Sequence, residues 1–276
     1  MQRELEIALD LARRAGDAIM EVHAGPFDVH EKSGDEGPVT IADHRADALI
    51  RAGLAAAFPN DALLTEESPD DLERLKERRV WIVDPLDGTR QFVQRGTEFA
   101  VMIGLAIDGR AVLGVVHMPA EDMTYAGAEG HPTVEYAHGG APRRLALDPR
   151  PADPERLVVT ISRSHYGSRT KRVVEALRPA RVFESGSVGR KAALVAAGHA
   201  DLYVNMSSRS RHWDACAPDA IVRYANGAFR DVRGREMRYN TEQTRNMSGL
   251  LACRTGLVET VVAAVEAVAG PARPEN

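Results

Sequence analysis

Two aspartates stand close together directly after an apolar stretch of this 276-residue chain. The segment from 81 to 90 reads WIVDPLDGTR and places Asp84 and Asp87 around Pro85. Two like charges at the end of a buried strand raise each other's pKa and destabilise the fold. Divalent cations remove that repulsion. Pro85 fixes a bend from which both carboxylates can face neighbouring metal ions, and the Leu86 carbonyl between them is a natural further oxygen ligand.

Carboxylates at other positions could join this pair. They are Asp43 in PVTIAD, Glu66 and Glu67 after an apolar strand, and Asp214 beside Trp213. Each also has a purely structural interpretation: Thr40 and Asp43 have the spacing of a capping box, Asp214 could be a charge at a helix N-terminus, and Glu67 could be solvated. Considered together, carboxylates at strand ends and helix starts can converge on one crevice, where α/β sites usually form.

Such a cluster would have a definite chemistry. Hard oxygen ligands, with no His or Cys nearby in sequence, suit Mg²⁺ rather than zinc. Roughly two or three Mg²⁺ ions would form a phosphate clamp, in which one metal activates a water and another stabilises the leaving oxygen. Gly88 lets the backbone approach a phosphate closely, and the Thr89 hydroxyl can orient the attacking water. The pattern therefore indicates metal-assisted phosphoryl chemistry.

The elements that must position these residues follow from the apolar periodicity. In the first half the pattern predicts helices over 3–22 and 40–58, a short strand over 62–65, and a strand over 80–84 that is apolar on both faces. Asp108-Gly109 between two apolar runs predicts a β-hairpin. The first half is therefore expected to contain two helices followed by a mostly antiparallel sheet.

The second half is expected to alternate strands with helices. One of these helices is predicted from Trp213 to Gly227, which can terminate it. The stretch 129–156 is rich in Pro, Gly and Arg, and we place the boundary between the halves there. The predicted division is an N-terminal α+β half, 1–140, with most metal ligands, and a C-terminal α/β half, 141–276, with Asp214 and a nucleotide pocket. The whole is a layered α/β chain.

Composition excludes several classes of function. The net charge of −5 gives no basic excess for binding a nucleic acid polymer. No stretch approaches the roughly 20 apolar residues that span a bilayer, so no membrane span is expected. The charged N-terminus lacks an apolar signal region, and a cytoplasmic location is expected. Cys216 and Cys253 are then expected to be free thiols.

Several motifs resemble one enzyme family. DPLDGT followed by FV, with EE upstream and WDACAPDAIV downstream, resembles the inositol monophosphatase superfamily of Mg²⁺-dependent, lithium-sensitive phosphatases. SRSH (162–165), WDACAP (213–218) and NMSGLLA (246–252) are most similar to its 3′(2′),5′-bisphosphate nucleotidase branch. The resemblance runs from PVTIAD to SGLLA, nearly the whole chain, and implies a layered α-β-α-β-α sandwich of the inositol monophosphatase / fructose-1,6-bisphosphatase type.

The resemblance also implies roles for individual residues. It places metal ions on Glu66, the first Glu of its pair, and on Asp84, the Leu86 carbonyl, Asp87 and Asp214. It makes Asp43, Thr89 and Glu66 catalytic: Thr89 activates water, and Asp43 pairs with Thr89 and helps to hold a further metal. The substrate phosphate is expected on Gly88 and Thr89, beside the metal ligands.

The second phosphate and the nucleoside are expected on the second half, at Ser164, His165, Ser187 and Lys191. Family members often carry a Ser three residues before this Lys, where this chain has Val188, and its Ser187 is one position further back. Arg190, Arg209 and Arg211 are additional positive charges that could contact a phosphate.

The function implied is hydrolysis of the 3′-phosphate of 3′-phosphoadenosine 5′-phosphate to AMP and phosphate, recycling a by-product of sulfate assimilation or sulfation. One alternative is an inositol monophosphatase or a broader sugar-phosphate phosphatase with the same metal site. Another is a non-catalytic nucleotide- or metal-binding regulator, which is disfavoured because every metal-binding and water-activating position holds a competent residue. The expected partner is a small phosphorylated nucleotide, and the chain is expected to be a monomer or a homodimer.

Overall fold

The computed structural model describes residues 1–32, 37–137, 139–150, 156–164 and 166–270. Within these ranges the helices are α1 (Gln2–Ala24), α2 (Ile41–Ala57), α3 (Thr89–Val93), α4 (Ser168–Leu177), α5 (Val188–Ala196), α6 (Cys216–Arg223) and α7 (Val258–Ala269). The strands are β1 (Val29–Glu31), β2 (Pro38–Thr40), β3 (Ala62–Thr65), β4 (Arg79–Asp87), β5 (Ala100–Ile107), β6 (Arg110–Met118), β7 (Met123–Ala128), β8 (His131–Ala137), β9 (Arg143–Arg144), β10 (Val158–Ser162), β11 (Arg181–Ser185), β12 (Leu202–Asn205), β13 (Gly227–Arg230) and β14 (Leu250–Arg254).

The first large sheet has seven strands in sequential order from β3 to β9. Strands β3 and β4 are parallel, and the other neighbours are antiparallel. Along β4, Trp81 and Val83 pack against helices α1 and α2, while Val80 and Ile82 pack against α5 and α6 on the other face. Both faces of β4 are therefore buried, which confirms the interpretation of its continuous apolar run.

The predicted hairpin is confirmed between β5 and β6. Asp108 and Gly109 form its turn and have φ values of 51° and 76°. Both turn residues of the hairpin type that matches strand twist have positive φ, and Asp-Gly is a preferred pair for it.

The second large sheet has five strands in the order β11-β10-β12-β14-β13. Strand β10 is parallel to both of its neighbours, and β14 is antiparallel to β12 and β13. Helices α4 and α7 cover its outer face, while α5 and α6 lie between the two sheets in one shared core. With α1 and α2 outside the first sheet, the layers are α-β-α-β-α, as predicted.

Two expectations need correction. The helix expected over 213–227 is the shorter α6, because the chain first makes a turn in which the Asp214 amide donates to the Arg211 carbonyl at 3.2 Å. Gly227 does not terminate that helix but begins β13. In addition, the stretch 129–156, in which we place the boundary between the halves, contains the strand β8. The division into halves at residue 140 stays a prediction, although the first sheet continues to Arg144.

No helix in the described ranges is long and apolar enough to cross a membrane. Both cysteines, Cys216 and Cys253, are free and buried, as expected.

Candidate active site

A break in the pairing of β4 brings two of the predicted carboxylates to one place. Asp84 pairs with Met102 of β5 and Asp87 pairs with Ala100, so two residues of β4 stand opposite one residue of β5. In a regular strand, residues three apart point to opposite faces. The extra residue of this bulge turns the strand, so that Asp84 and Asp87 reach a common site.

The third carboxylate comes from the loop that leads into α6. Asp214 lies in the turn before α6, and its Oδ2 accepts a hydrogen bond from the backbone amide of Arg211 at 2.5 Å. Carboxylate oxygens of Asp84, Asp87 and Asp214 all lie within 4.8 Å of one another. Three of the predicted metal ligands thus converge, although Asp214 is far from the other two in sequence.

Burial and mutual repulsion make this cluster unstable as three free anions. Burial raises the pKa of Asp84 well above its ordinary value, and the charges of Glu66, Asp87 and Asp214 raise it further. Burial likewise raises the pKa of Asp214, followed by the charges of Asp87 and Glu66. Closely spaced, buried oxygen donors of this kind fit a hard divalent cation, which would balance the charge and allow all three carboxylates to ionise.

Asp87 is held in place from the opposite half of the molecule. Its Oδ2 accepts hydrogen bonds from the Ser187 hydroxyl at 2.5 Å and from the Gly189 amide at 2.9 Å. These two bonds from the segment at α5 fix the orientation of the carboxylate. Ligands whose orientation is fixed by such supporting bonds bind metal ions better.

Glu66 follows β3 and is engaged by a cation. Lys32 donates from Nζ to Glu66 at 2.7 Å and to Glu67 at 2.5 Å. Burial raises the pKa of Glu66, and the Lys32 ammonium opposes that rise. Burial alone would lower the pKa of Lys32, but its two carboxylate partners raise it. The three-aspartate group does not include Glu66, whose role as a fourth ligand stays a prediction.

Asp43 serves two partners at once. Its Oδ2 accepts from the amide and the hydroxyl of Thr40, both at 2.8 Å, which completes the capping box of α2. Its Oδ1 accepts from the Thr89 hydroxyl at 3.2 Å. The structural and the catalytic interpretation of Asp43 are therefore compatible, because each uses a different oxygen. Burial raises the pKa of Asp43, and the bonds from Thr40 oppose the rise.

Thr89 and Gly88 form the turn after the cluster. The Thr89 hydroxyl lies 3.0 Å from the Leu86 carbonyl as well as close to Asp43. Gly88 has φ of 95°, and a Cβ on it would lie 2.8 Å from the Glu98 carbonyl oxygen. Only glycine fits here without strain. The sharp turn directs Thr89 back toward the carboxylates.

The three aspartates and the turn at Gly88 and Thr89 line a cavity of about 410 Å³. Its lining contains the predicted residues Glu66, Asp84, Leu86, Asp87, Gly88, Thr89, Ser164, Ser187, Lys191 and Asp214. Asp43 lies behind Thr89. His165, also predicted to bind substrate, lies outside the described residues.

The predicted nucleotide-binding residues are already engaged within the protein. Lys191 is only 1% exposed, and its Nζ donates to the carbonyls of Ser185, Gly186 and Ser187 at 3.3, 3.1 and 2.5 Å. Burial lowers the pKa of Lys191 to about 8. The Ser164 hydroxyl accepts from Gln91 Nε2 at 2.9 Å. These contacts shape the cavity wall.

Some residues of the site gave no sequence signal. Lys32 stands alone in a polar loop, and Gln91 looks like any helix residue. The backbone amides of Gly189 and Arg211 donate to Asp87 and Asp214. Any residue type except proline could supply such an amide, so the sequence does not indicate them. Only the fold reveals them.

Known proteins match this chain over most of its length. The model of the inositol monophosphatase family matches residues 1–268. The chain is 37% identical over 244 residues to the 3′(2′),5′-bisphosphate nucleotidase CysQ of Escherichia coli strain K12, covering 87% of this chain and 95% of that protein.

Two solved structures are similar throughout. The IMPase of Thermotoga maritima matches with a TM-score of 0.80 and 29% identity, covering 97% of this chain and 98% of that one. CysQ of Bacteroides thetaiotaomicron, titled a bacterial member of the inositol monophosphatase family, matches with a TM-score of 0.79 and 28% identity, covering 92% and 98%.

Proposed function

The chain belongs to the inositol monophosphatase family, and we propose that within it this protein is a Mg²⁺-dependent 3′(2′),5′-bisphosphate nucleotidase. It would remove the 3′-phosphate of 3′-phosphoadenosine 5′-phosphate and release AMP and phosphate. The observation that carries the proposal is the convergence of Asp84, Asp87 and Asp214 in one cavity. The choice of substrate is supported by the similarity to CysQ of Escherichia coli.

The metal site would be built from oxygen ligands alone. Asp84, the Leu86 carbonyl, Asp87 and Asp214, joined by Glu66, would hold roughly two or three Mg²⁺ ions. Bound there, these ions would neutralise phosphate charge, lower the pKa of a water molecule and stabilise the leaving oxygen.

Thr89 and Asp43 would orient the water. The Thr89 hydroxyl lies within reach of both the Leu86 carbonyl and Asp43 Oδ1. With the Leu86 carbonyl holding a metal ion, the single hydroxyl proton would go to Asp43 Oδ1, and the Thr89 oxygen would accept a hydrogen bond from the nucleophilic water. The raised pKa of Asp43 makes its carboxylate a better proton acceptor. The water oxygen would bond to phosphorus as the bond from phosphorus to the 3′-oxygen breaks. The proton lost by the water would pass through Thr89 to Asp43, and the departing 3′-oxygen, which keeps the bonding electrons, would take a proton from solvent. Gly88 gives the phosphate room beside the backbone.

Side-by-side kinetics would test this proposal. We expect the purified protein with Mg²⁺ to have a higher kcat/KM for 3′-phosphoadenosine 5′-phosphate than for inositol 1-phosphate, because specificity is a ratio of these constants. EDTA should abolish both activities. Phosphate release from inositol 1-phosphate, but none from the bisphosphate, would contradict the proposed substrate and favour an inositol monophosphatase.

A further inference from the structure

The same cavity has a basic wall built from loop residues. Ser207, Ser208, Arg209, Ser210 and Arg211 precede Asp214 in sequence and line the cavity, as does Arg245 from a distant segment. We call Arg209, Arg211 and Arg245 the arginine wall. The cavity therefore combines an acidic cluster, which suits metal ions, with guanidinium groups, which suit an anion.

Two segments of the chain hold this wall in a fixed shape. Arg211 and Arg245 form an antiparallel β-bridge, which places the two residues side by side. The amide of His212 donates to the Thr244 carbonyl at 2.9 Å. The buried Asn246 donates from Nδ2 to the Arg211 carbonyl at 2.7 Å. A wall fixed before binding loses less entropy when a ligand arrives.

Other cations lie in or beside the cavity, at different positions. The Lys191 ammonium donates to three backbone carbonyls beneath the cavity. Arg190 binds Glu121 at 2.6 Å and lies 3.7 Å from Glu98. Arg90 also lines the cavity, but it directly follows Thr89 at the reacting end. A second phosphate, repelled by the aspartates, is best matched by the arginine wall, since guanidinium groups bind phosphate oxygens in a bidentate manner.

We propose that the arginine wall binds the second, non-reacting phosphate of the substrate and gives the enzyme its preference for bisphosphates. The proposal rests on the proposed nucleotidase function and adds the residues that select the substrate. Ser164, Ser187 and Lys191 then shape the part of the cavity that receives the nucleoside. Arg209 and Arg211 lie on the same loop as Asp214, and Arg245 is bridged to Arg211, so the recognised phosphate and the metal cluster have a fixed relative position.

The test compares two substrates that differ only in the second phosphate, adenosine 3′,5′-bisphosphate and adenosine 3′-monophosphate. Arg209 and Arg245 are both exposed, so replacing them does not threaten the fold. For the Arg209→Gln/Arg245→Gln double variant we expect kcat/KM on the bisphosphate to fall roughly 10- to 100-fold, mainly through KM. The value on the monophosphate should fall much less. Arg190→Gln is the matched control and should leave the ratio of the two substrates unchanged.

Binding of AMP provides a readout without turnover. AMP keeps the 5′-phosphate, and its Kd by calorimetry should rise roughly 10-fold or more in the double variant but not in Arg190→Gln. Equal losses on both substrates, or an unchanged substrate ratio, would overturn the role of the wall while leaving the nucleotidase function intact. A wild-type protein that released no phosphate from the bisphosphate would instead overturn the proposed function itself.

Discussion

Asp84 and Asp219 are buried to the same degree, at 1% and 0% exposure, yet their surroundings differ completely. Asp219 of α6 accepts hydrogen bonds from Arg223 and Tyr239, each at 3.1 Å. Within the described residues, the only hydrogen bond that Asp84 accepts comes from the Leu86 amide. The neighbouring charges that affect its pKa most are the carboxylates of Glu66, Asp87 and Asp214. Burial raises the pKa of Asp219 to about 6, whereas Arg223 and Tyr239 oppose that rise.

This difference distinguishes a carboxylate that stabilises the fold from one whose charge needs a bound cation to balance it. A buried charge with a cation and a hydroxyl beside it is satisfied by the protein itself. A buried charge surrounded by like charges costs stability unless something from solution balances it. Burial alone therefore does not identify the functional aspartates, but the identity of their partners does.

The largest expected effect is loss of catalysis in Asp84→Asn. The asparagine keeps the size of the side chain and an oxygen for the Leu86 amide, but removes one ligand charge. Because bound metals supply several kcal/mol of transition-state stabilisation, we expect phosphate release with Mg²⁺ to fall about 1,000-fold or more. The metal-free variant should melt at a temperature equal to or higher than the wild type, since repulsion is relieved. If Asp84→Asn kept its activity, Asp84 would be a structural carboxylate like Asp219 and the proposed metal site would be wrong.

Asp219→Ala should show the reverse pattern. Removing this carboxylate leaves Arg223 and Tyr239 without their buried partner, so we expect the free energy of unfolding to fall by about 3 kcal/mol. Urea denaturation measures this loss. The kcat per folded molecule should stay near that of the wild type, because Asp219 does not line the cavity. Asp148→Ala, which removes an exposed pair with Arg150, is the control and should leave stability unchanged.

Thr89→Ala tests the part of the site that does not bind metal. Loss of the hydroxyl removes the group that orients water, and we expect kcat to fall about 100-fold with little change in KM for Mg²⁺. Thr89→Ser keeps the hydroxyl and should restore most of the rate. If the serine variant were as slow as the alanine variant, the hydroxyl would not be the important feature of this residue.

The smallest expected effect is on stability as a function of pH. The pKa values of Asp84 and Asp214 are raised in the folded state, so the folded protein binds more protons than the unfolded chain. Stability of the metal-free protein should then fall as pH rises above the ordinary aspartate pKa of about 4. We expect a decrease in melting temperature of roughly a few degrees, reversed by Mg²⁺. Asp219 also has a raised pKa and therefore lowers stability in the same direction as pH rises. The contribution of the cluster is the part of the pH dependence of the melting temperature that is lost in Asp84→Asn.

The motifs were sufficient to predict the layered fold and the aspartates that converge. The apolar run before Asp84 and the spacing around Pro85 carry that information locally. The bulge that brings Asp84 and Asp87 together did not follow from the sequence, because it depends on the pairing of β4 with β5.

Long-range contacts account for what the sequence did not reveal. The bridge between Arg211 and Arg245 and the hold of Ser187 on Asp87 join residues far apart in the chain. The late start of α6 has a local origin instead, since the Asp214 amide donates to the Arg211 carbonyl in the turn that precedes the helix.

The most direct test of the central claim, that Asp84, Asp87 and Asp214 form a divalent metal site, is anomalous diffraction from crystals soaked in Mn²⁺ in place of Mg²⁺. The account predicts anomalous peaks about 2 Å from carboxylate oxygens of Asp84, Asp87 and Asp214, and none beside Asp219. Saturating Mn²⁺ with no peak at the three aspartates would contradict it.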